Sequence, residues 1–123
     1  MTVSFQRLKQ SFLDAVRGFD YTFRSEQNFR IQMVVAILTG GGAFVLGLKR
    51  WEIILVFLLI LMVLSMELLN TVVEKFSDLL MPRMHQQILV VKDVMAAAVL
   101  TTALGAGIIG GFIFWPYLVN LLK

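Results

Sequence analysis

Acidic and amide side chains follow a long apolar segment in the middle of the chain. The residues at positions i, i+3, i+7 and i+11 of this stretch are Glu67, Asn70, Glu74 and Asp78. On a helix this spacing confines all four to about 80° of one face. Three carboxylates on one face repel each other unless cations neutralise them, and such oxygen ligands suit Mg²⁺.

These four residues form two pairs, which differ in how near they lie to the apolar segment. Glu74 and Asp78 are also typical of the solvated end of a helix, and this interpretation stays open. Glu67 and Asn70 lie closer to the apolar segment. An ionised carboxylate at that depth in a membrane costs several kcal/mol, so its presence indicates a functional requirement.

Glu26 is a further carboxylate, just before the first apolar segment. It precedes Arg30 by four residues, a spacing that gives an ordinary ion pair on a helix. Alternatively, Glu26 lies at a height comparable with Glu74, and two helices that each present a carboxylate at one level can clamp a metal ion.

Lys92 and Asp93 stand together before the third apolar segment. A helix N-terminus favours bound phosphate, so this pair could position a triphosphate. A boundary lysine with an N-terminal aspartate is the ordinary alternative. His85 is the only histidine, and we interpret it as polar surface of the connection.

The composition places these residues in a membrane protein. Of the 123 residues 59% are hydrophobic, against about 45–50% in soluble proteins. The length accommodates a few spanning helices and no separate soluble catalytic domain. Because cysteine is absent, disulfides, thiolate metal sites and cysteine nucleophiles are excluded. Any active site must therefore lie in or against the bilayer.

The first predicted helix covers residues 5–29 and is amphipathic. Its apolar stripe consists of Phe5, Leu8, Phe12, Val16, Phe19 and Phe23. A basic polar face opposite an aromatic stripe is typical of a helix at the membrane surface. Packing of the stripe on the other helices is the alternative. The first residues lack the pattern of a signal peptide, so we expect the N-terminus to be retained.

Three further helices, over residues 31–48, 53–78 and 93–122, each contain one predicted span. The fold class is therefore an all-α membrane protein, with a surface helix plus three transmembrane helices in an oligomeric bundle. Pro82 is predicted to end the second of these helices. We expect residues 1–123 to form a single domain.

The distribution of Lys and Arg predicts the orientation. The residues before the first span and between the second and third are Arg7, Lys9, Arg17, Arg24, Arg30, Lys75, Arg83 and Lys92. Those of the first turn and the tail are Lys49, Arg50 and Lys123. The excess in the first group places the N-terminus in the cytoplasm of a multi-pass membrane protein.

The chain has no Walker A segment, no glycine-rich kinase loop and no zinc-binding spacing, which excludes the usual nucleotide-binding folds. Ala103, Gly107 and Gly111 recur every four residues in the third span and predict self-association. The residues alone thus describe a three-span oligomer whose cytoplasmic end is suited to metal and phosphate. They do not name a reaction.

At these residues the chain resembles the prokaryotic diacylglycerol kinase and undecaprenol kinase family, which are small membrane lipid kinases. The resemblance covers nearly the whole chain. Its segments are Glu-x-x-Phe-Arg at 26–30, Glu-x-x-Asn-Thr-x-x-Glu at 67–74 with Asp78, His85, and Lys92-Asp93 before an Ala-Ala-Ala-Val run. The sequence of residues 26–30 looks more like that of the undecaprenol kinase branch.

The resemblance implies a homotrimer that transfers the γ-phosphate of ATP, with Mg²⁺, to a lipid hydroxyl of undecaprenol or diacylglycerol at the cytoplasmic face. Its partners would be ATP, the lipid alcohol and the membrane, without nucleic acid. Glu67 would be the general base, and Asn70 would hold the hydroxyl or a phosphate oxygen. Glu26 and Glu74 would bind the metal and, through it, the nucleotide.

The resemblance also implies a set of nucleotide contacts. Lys92 would contact the ATP phosphates and Asp93 would orient it, while Arg7 and Asp78 would help to bind the nucleotide. Asp14 departs from the family pattern, because relatives often have an aromatic residue there.

The non-enzymatic alternative is a small ion or proton transport subunit that uses Glu67 and Glu74. A transport carboxylate belongs near the middle of the membrane, with polar access from both sides. Here every candidate is predicted at the cytoplasmic end, so the kinase is the leading hypothesis.

Overall fold

The computed structural model describes residues 2–80 and 85–123, which form four helices with no strand in those ranges. The helices are α1 (Phe5–Ser25), α2 (Gln27–Val45), α3 (Arg50–Leu80) and α4 (His85–Leu122). Three of them, α2, α3 and α4, are long and apolar enough to cross a membrane. The all-α class with one amphipathic helix and three spanning helices is thereby confirmed. Pro82 lies outside the described residues.

The helix predicted over 5–29 is interrupted at Glu26, which has an extended backbone (φ −114°, ψ 113°). The guanidinium of Arg30 donates hydrogen bonds to the carbonyl oxygens of Phe23 and Arg24, both at 2.9 Å. These bonds satisfy free carbonyl groups at the end of α1. Arg30 is thus a helix cap, and the alternative of a Glu26–Arg30 ion pair is not the contact that the structure shows.

The helices α2 and α4 begin earlier than the sequence-based boundaries, while α2 ends at Val45, before the predicted 48. α2 begins at Gln27 rather than 31, and α4 begins at His85 rather than 93. Both differences lengthen a helix at its polar end. Hydropathy marks where apolar residues begin, whereas a helix continues through polar residues as long as its backbone bonds are satisfied.

Most of α1 lies away from the other helices. The hydroxyl of Ser4 caps its start by accepting from the Arg7 amide at 3.4 Å. The apolar stripe is exposed, from Phe5 at 82% to Phe23 at 46%. The C-terminal part of α1 contacts the bundle, where the rings of Phe19 and Phe29 are 6.3 Å apart. Of the two alternatives, the structure favours a stripe available to the membrane over one packed on its own chain.

A tight turn joins α2 to α3. Gly47 has a positive φ of 71°, which glycine adopts without the steric cost of a Cβ. The Gly47 amide donates to the Phe44 carbonyl at 3.2 Å and the Leu48 amide to the Ala43 carbonyl at 3.0 Å. This pair of bonds is the Schellman motif, and the contact of Leu48 with Ala43 adds its usual apolar component.

The start of α3 is held by a buried carboxylate. Glu52 is 8% exposed and accepts a hydrogen bond from the Lys49 amide at 2.9 Å, which is half of a capping box. The hydroxyl of Tyr117, on α4, donates a second hydrogen bond to the same oxygen. Glu52 therefore ties the end of α4 to the start of α3.

The central element is α3, which packs against both α2 and α4. Gly40 allows close approach on the α2 side, since a Cβ there would lie 3.6 Å from the Phe57 ring. The buried apolar core comprises Ala43, Leu48, Val56 and Ile113. This core lies near the α2–α3 turn, and the opposite end of the bundle buries polar side chains, among them Glu67 and Thr71, together with Phe29 and Ile88.

Candidate active site

Glu67 is the centre of this polar end. It is only 1% exposed and, with Phe29, is one of the two largest fully buried side chains of the described residues. The amide of Gln32, on α2, donates to its Oε2 atom at 3.3 Å. The hydroxyl of Thr71 donates to the Glu67 backbone carbonyl at 3.0 Å and so does not bond to the carboxylate.

Glu26 and Glu74 flank Glu67 from two elements. Glu26 lies at the junction of α1 and α2, Glu74 lies two turns beyond Glu67 on α3, and both are half-buried. They are near enough for their negative charges to act on Glu67. The charge of Glu26 also acts on Lys75, the neighbour of Glu74 in the chain. The structure thus brings Glu26, Glu67 and Glu74, three of the carboxylates that the sequence analysis singled out, to the same end of the bundle.

This group has the oxygen chemistry of a magnesium site but not a complete set of ligands. The side chain of Glu26 makes no hydrogen bond to the start of α2, so its carboxylate is available. Within residues 2–80 and 85–123 no three acidic or histidine side chains form a metal site. Mg²⁺ is commonly held by one or two carboxylates together with water and substrate phosphates, and Glu26 with Glu74 fits that pattern.

The amino group of Lys92 lies 3.0 Å from an Asp78 carboxylate oxygen. This contact joins α4 to α3, and it places a cation at the exposed end of the polar stripe. The Lys92 side chain is 32% exposed, so it is open to a ligand. The sequence-based expectation paired Lys92 with Asp93, but the structure pairs it with Asp78 and leaves Asp93 exposed.

The remaining predicted residues lie at different distances from the carboxylates around Glu67. Asn70 is half-buried, one turn beyond Glu67 on the same helix. Arg7 is exposed near the start of α1, about 21 Å along the helix from Tyr21. The structure of the single chain therefore does not bring Arg7 to the carboxylates. The side chain of His85 lies outside the described residues.

The sequence motifs did not include the residues of two contacts at the site. The first is Gln32, whose signal was available as a polar amide inside an apolar segment, since polar groups in a span have a partner or a function. The second is the pair Lys75 and Tyr21, in which the amino group lies 5.6 Å from the ring centroid. This cation–π contact fastens α1 to α3 beside Glu74.

Comparison with known proteins places these observations in a family. Residues 14–114 match the prokaryotic diacylglycerol kinase family. The chain is 38% identical to the undecaprenol kinase of Bacillus subtilis, over 91% of both chains. It is 30% identical to the diacylglycerol kinase of Haemophilus influenzae, over 93% of this chain and 98% of that one.

A third relative is longer. The diacylglycerol kinase of Synechocystis is 33% identical over 91% of this chain, which spans 65% of the length of that relative. The matched region contains Glu26, Glu67, Glu74 and Lys92. The chain belongs to the prokaryotic diacylglycerol kinase family, whose name and whose named relatives are those of lipid kinases.

Proposed function

We propose that this protein is an ATP- and Mg²⁺-dependent kinase that phosphorylates the hydroxyl group of a membrane lipid, undecaprenol or diacylglycerol, at the cytoplasmic face of the bacterial inner membrane. The observation that carries the proposal is the burial of Glu67 at 1% exposure beside two further carboxylates. In this environment a carboxylate is costly unless chemistry requires it.

Glu67 is proposed as the general base. The lipid hydroxyl gives its proton to the Glu67 carboxylate while its oxygen forms a bond to the γ-phosphorus of ATP. The bond from that phosphorus to the bridging oxygen breaks, and ADP leaves. Asn70, one turn further along the same helix face, holds the hydroxyl or a phosphate oxygen. Such a reaction depends mainly on positioning and charge, so it requires no soluble nucleotide-binding fold.

The nucleotide is proposed to bind at the exposed end of the same stripe. Lys92 contacts the phosphates, and its ion pair with Asp78 keeps the amino group beside α3. Glu26 and Glu74 would hold Mg²⁺, which supplies charge neutralisation on the phosphates when bound. Arg7 and Asp93 are proposed as further nucleotide contacts. Arg7 lies near the start of α1, so within one chain it is distant from the carboxylates.

Assembly as a homotrimer is part of the proposal. Its support is the surface of α4, where a Cβ added at Gly107, Gly110 or Gly111 would meet nothing within 4 Å. A helix with such a surface can be approached closely by another helix. A second subunit could also supply the part of α1 that contains Arg7.

The test is transfer of phosphate from γ-labelled ATP by the purified protein in mixed micelles. Undecaprenol and diacylglycerol are offered separately, with Mg²⁺ and with a chelator. Undecaprenol is the first acceptor to try, given the 38% identity to an undecaprenol kinase over 91% of both chains. We expect labelled lipid only when Mg²⁺ is present, and the faster acceptor identifies the substrate.

Absence of label in both lipids, from folded protein, would contradict the proposal. An ion or proton transport subunit using Glu67 and Glu74 would then be the alternative to examine. Equal labelling with and without the chelator would contradict the Mg²⁺ dependence and leave the kinase activity supported.

A further inference from the structure

Gln32 carries a buried polar atom that has no partner. Its Nε2 group donates to Glu67 at 3.3 Å, but its Oε1 atom is buried and accepts no hydrogen bond within residues 2–80 and 85–123. The side chain lies at one end of an apolar cavity of about 400 Å³ between α2, α3 and α4. The surroundings therefore offer this oxygen almost no polar contact.

An unpaired buried carbonyl oxygen is unusual and calls for a physical reason. Leaving such a group without a partner costs about 1–3 kcal/mol. A donor that arrives during the working cycle of the protein would give this oxygen a partner. A group in contact with the Gln32 side chain that can become a donor is Glu67, whose carboxylate accepts hydrogen bonds when ionised and also donates one when protonated.

We propose that Gln32 is the positioning residue for Glu67 through both of its protonation states. Before transfer, the Gln32 amide donates to the carboxylate and fixes its orientation. After the lipid hydroxyl has given its proton to Glu67, rotation about the last side-chain bond of Gln32 exchanges its two polar groups. The oxygen that was unpaired then accepts the new O–H of Glu67. This inference rests on the proposed function of Glu67 as the base.

The chemistry of the side chain supports this role over simple packing. Only a group with both a donor and an acceptor can satisfy a carboxylate and a carboxylic acid in turn, and a primary amide has both. Thr39 lines the same cavity but bonds to backbone carbonyls of its own helix, with a distance of 2.8 Å to Val35. Polarity in the cavity is therefore not sufficient, and the contact with Glu67 distinguishes Gln32.

The test compares Gln32→Met, which keeps the length of the side chain and removes both polar groups, with Gln32→Glu, which keeps its size and removes the donor. Thr39→Val is the matched control from the same cavity. We expect Gln32→Met to lower kcat for lipid phosphorylation by about 10- to 100-fold with an unchanged KM for ATP, because Gln32 orients the base and does not contact the nucleotide in this proposal. Gln32→Glu should also lose activity, and Thr39→Val should stay within about twofold of the unmodified protein.

The second readout is the effect of Gln32→Met in a Glu67→Gln background, measured on the residual label transfer. A residue that acts through Glu67 has little left to affect there, so we expect a further change of less than about twofold. The same fold-loss in both backgrounds would show a role independent of Glu67 and overturn the inference. Full activity of Gln32→Met, or of Gln32→Glu if only that variant folds, would do the same.

These outcomes are separable from failure of the proposed function. If the unmodified protein transfers no phosphate to lipid, the kinase proposal itself fails. If it is active and both Gln32 variants are equally active, only the role of Gln32 is removed.

Discussion

Two carboxylates are buried on α3, and the structure holds them in different ways. Glu52 lies in the first turn and Glu67 in the second half, about 22 Å apart along the helix axis. They are 8% and 1% exposed respectively. Burial alone does not separate them, so their partners must.

Glu52 is surrounded by donors. The Lys49 amide and the Tyr117 hydroxyl both bond to it, and it stands at a helix N-terminus, where the dipole favours negative charge. The two hydrogen bonds and the helix dipole therefore offset the cost of burying its charge. Each of its contacts joins structural elements, which indicates a structural role.

Glu67 has the opposite environment. One amide donates to it at 3.3 Å, and the charges nearby are those of Glu26 and Glu74, which have the same sign. Like charges disfavour the ionised form of a carboxylate unless a cation joins them. A carboxylate with few hydrogen-bond donors around it, rather than a merely buried one, therefore marks the candidate site.

The largest expected effect is that of Glu67→Gln. The change keeps the size of the side chain and removes the base, so kcat should fall by about 10³-fold. The measurement is transfer of labelled phosphate to lipid, with circular dichroism and size-exclusion chromatography to check that the variant folds. Full activity in a folded variant would remove Glu67 as the base.

Glu74→Gln should have the next largest effect, on the metal. Loss of one of two carboxylate ligands should raise the Mg²⁺ concentration for half-maximal activity at least about 10-fold. Titration of activity with Mg²⁺ at fixed ATP checks this, and nucleotide binding at low Mg²⁺ should weaken in parallel. An unchanged Mg²⁺ titration would show that Glu74 is not a ligand.

Lys92→Met should act on nucleotide binding. Removal of the cation should raise the KM for ATP about 10-fold, equivalent to about 1.4 kcal/mol, with a smaller change in the KM for lipid. Lys92→Arg keeps the positive charge and is the matched control. Equal effects on both substrates would indicate that the Lys92–Asp78 pair serves only to join α3 and α4.

The fold could be predicted from the sequence wherever one physical effect dominates. Apolar length predicted the three spanning helices, and periodicity predicted the amphipathic α1. The break at Glu26 could not be predicted, because it depends on the Arg30 guanidinium reaching back to the carbonyl groups of Phe23 and Arg24. This contact is made between two helices, and the periodicity of one helix cannot predict it.

The candidate site was predictable along one helix and less so between helices. Helical spacing placed Glu67 and Glu74 on one face, as the structure shows. The partner of Lys92 was predicted as its neighbour Asp93, whereas the crossing of α3 and α4 supplies Asp78. Gln32 was missed for a similar reason, since its contact with Glu67 spans 35 residues of sequence.

The smallest effect on activity is expected for Glu52→Gln, the same substitution as at Glu67. The side-chain oxygen of Gln can still accept from the Lys49 amide, so kcat should stay within about twofold of the unmodified protein. Loss of the charge at the helix N-terminus should lower the thermal unfolding temperature in micelles. If Glu52→Gln abolished turnover in a folded protein, hydrogen-bond satisfaction would no longer separate a structural carboxylate from a catalytic one. If it changed neither activity nor stability, Tyr117 and the core around Leu48 would be sufficient to hold the turn, and the contrast between the two ends of α3 would rest on Glu67 alone.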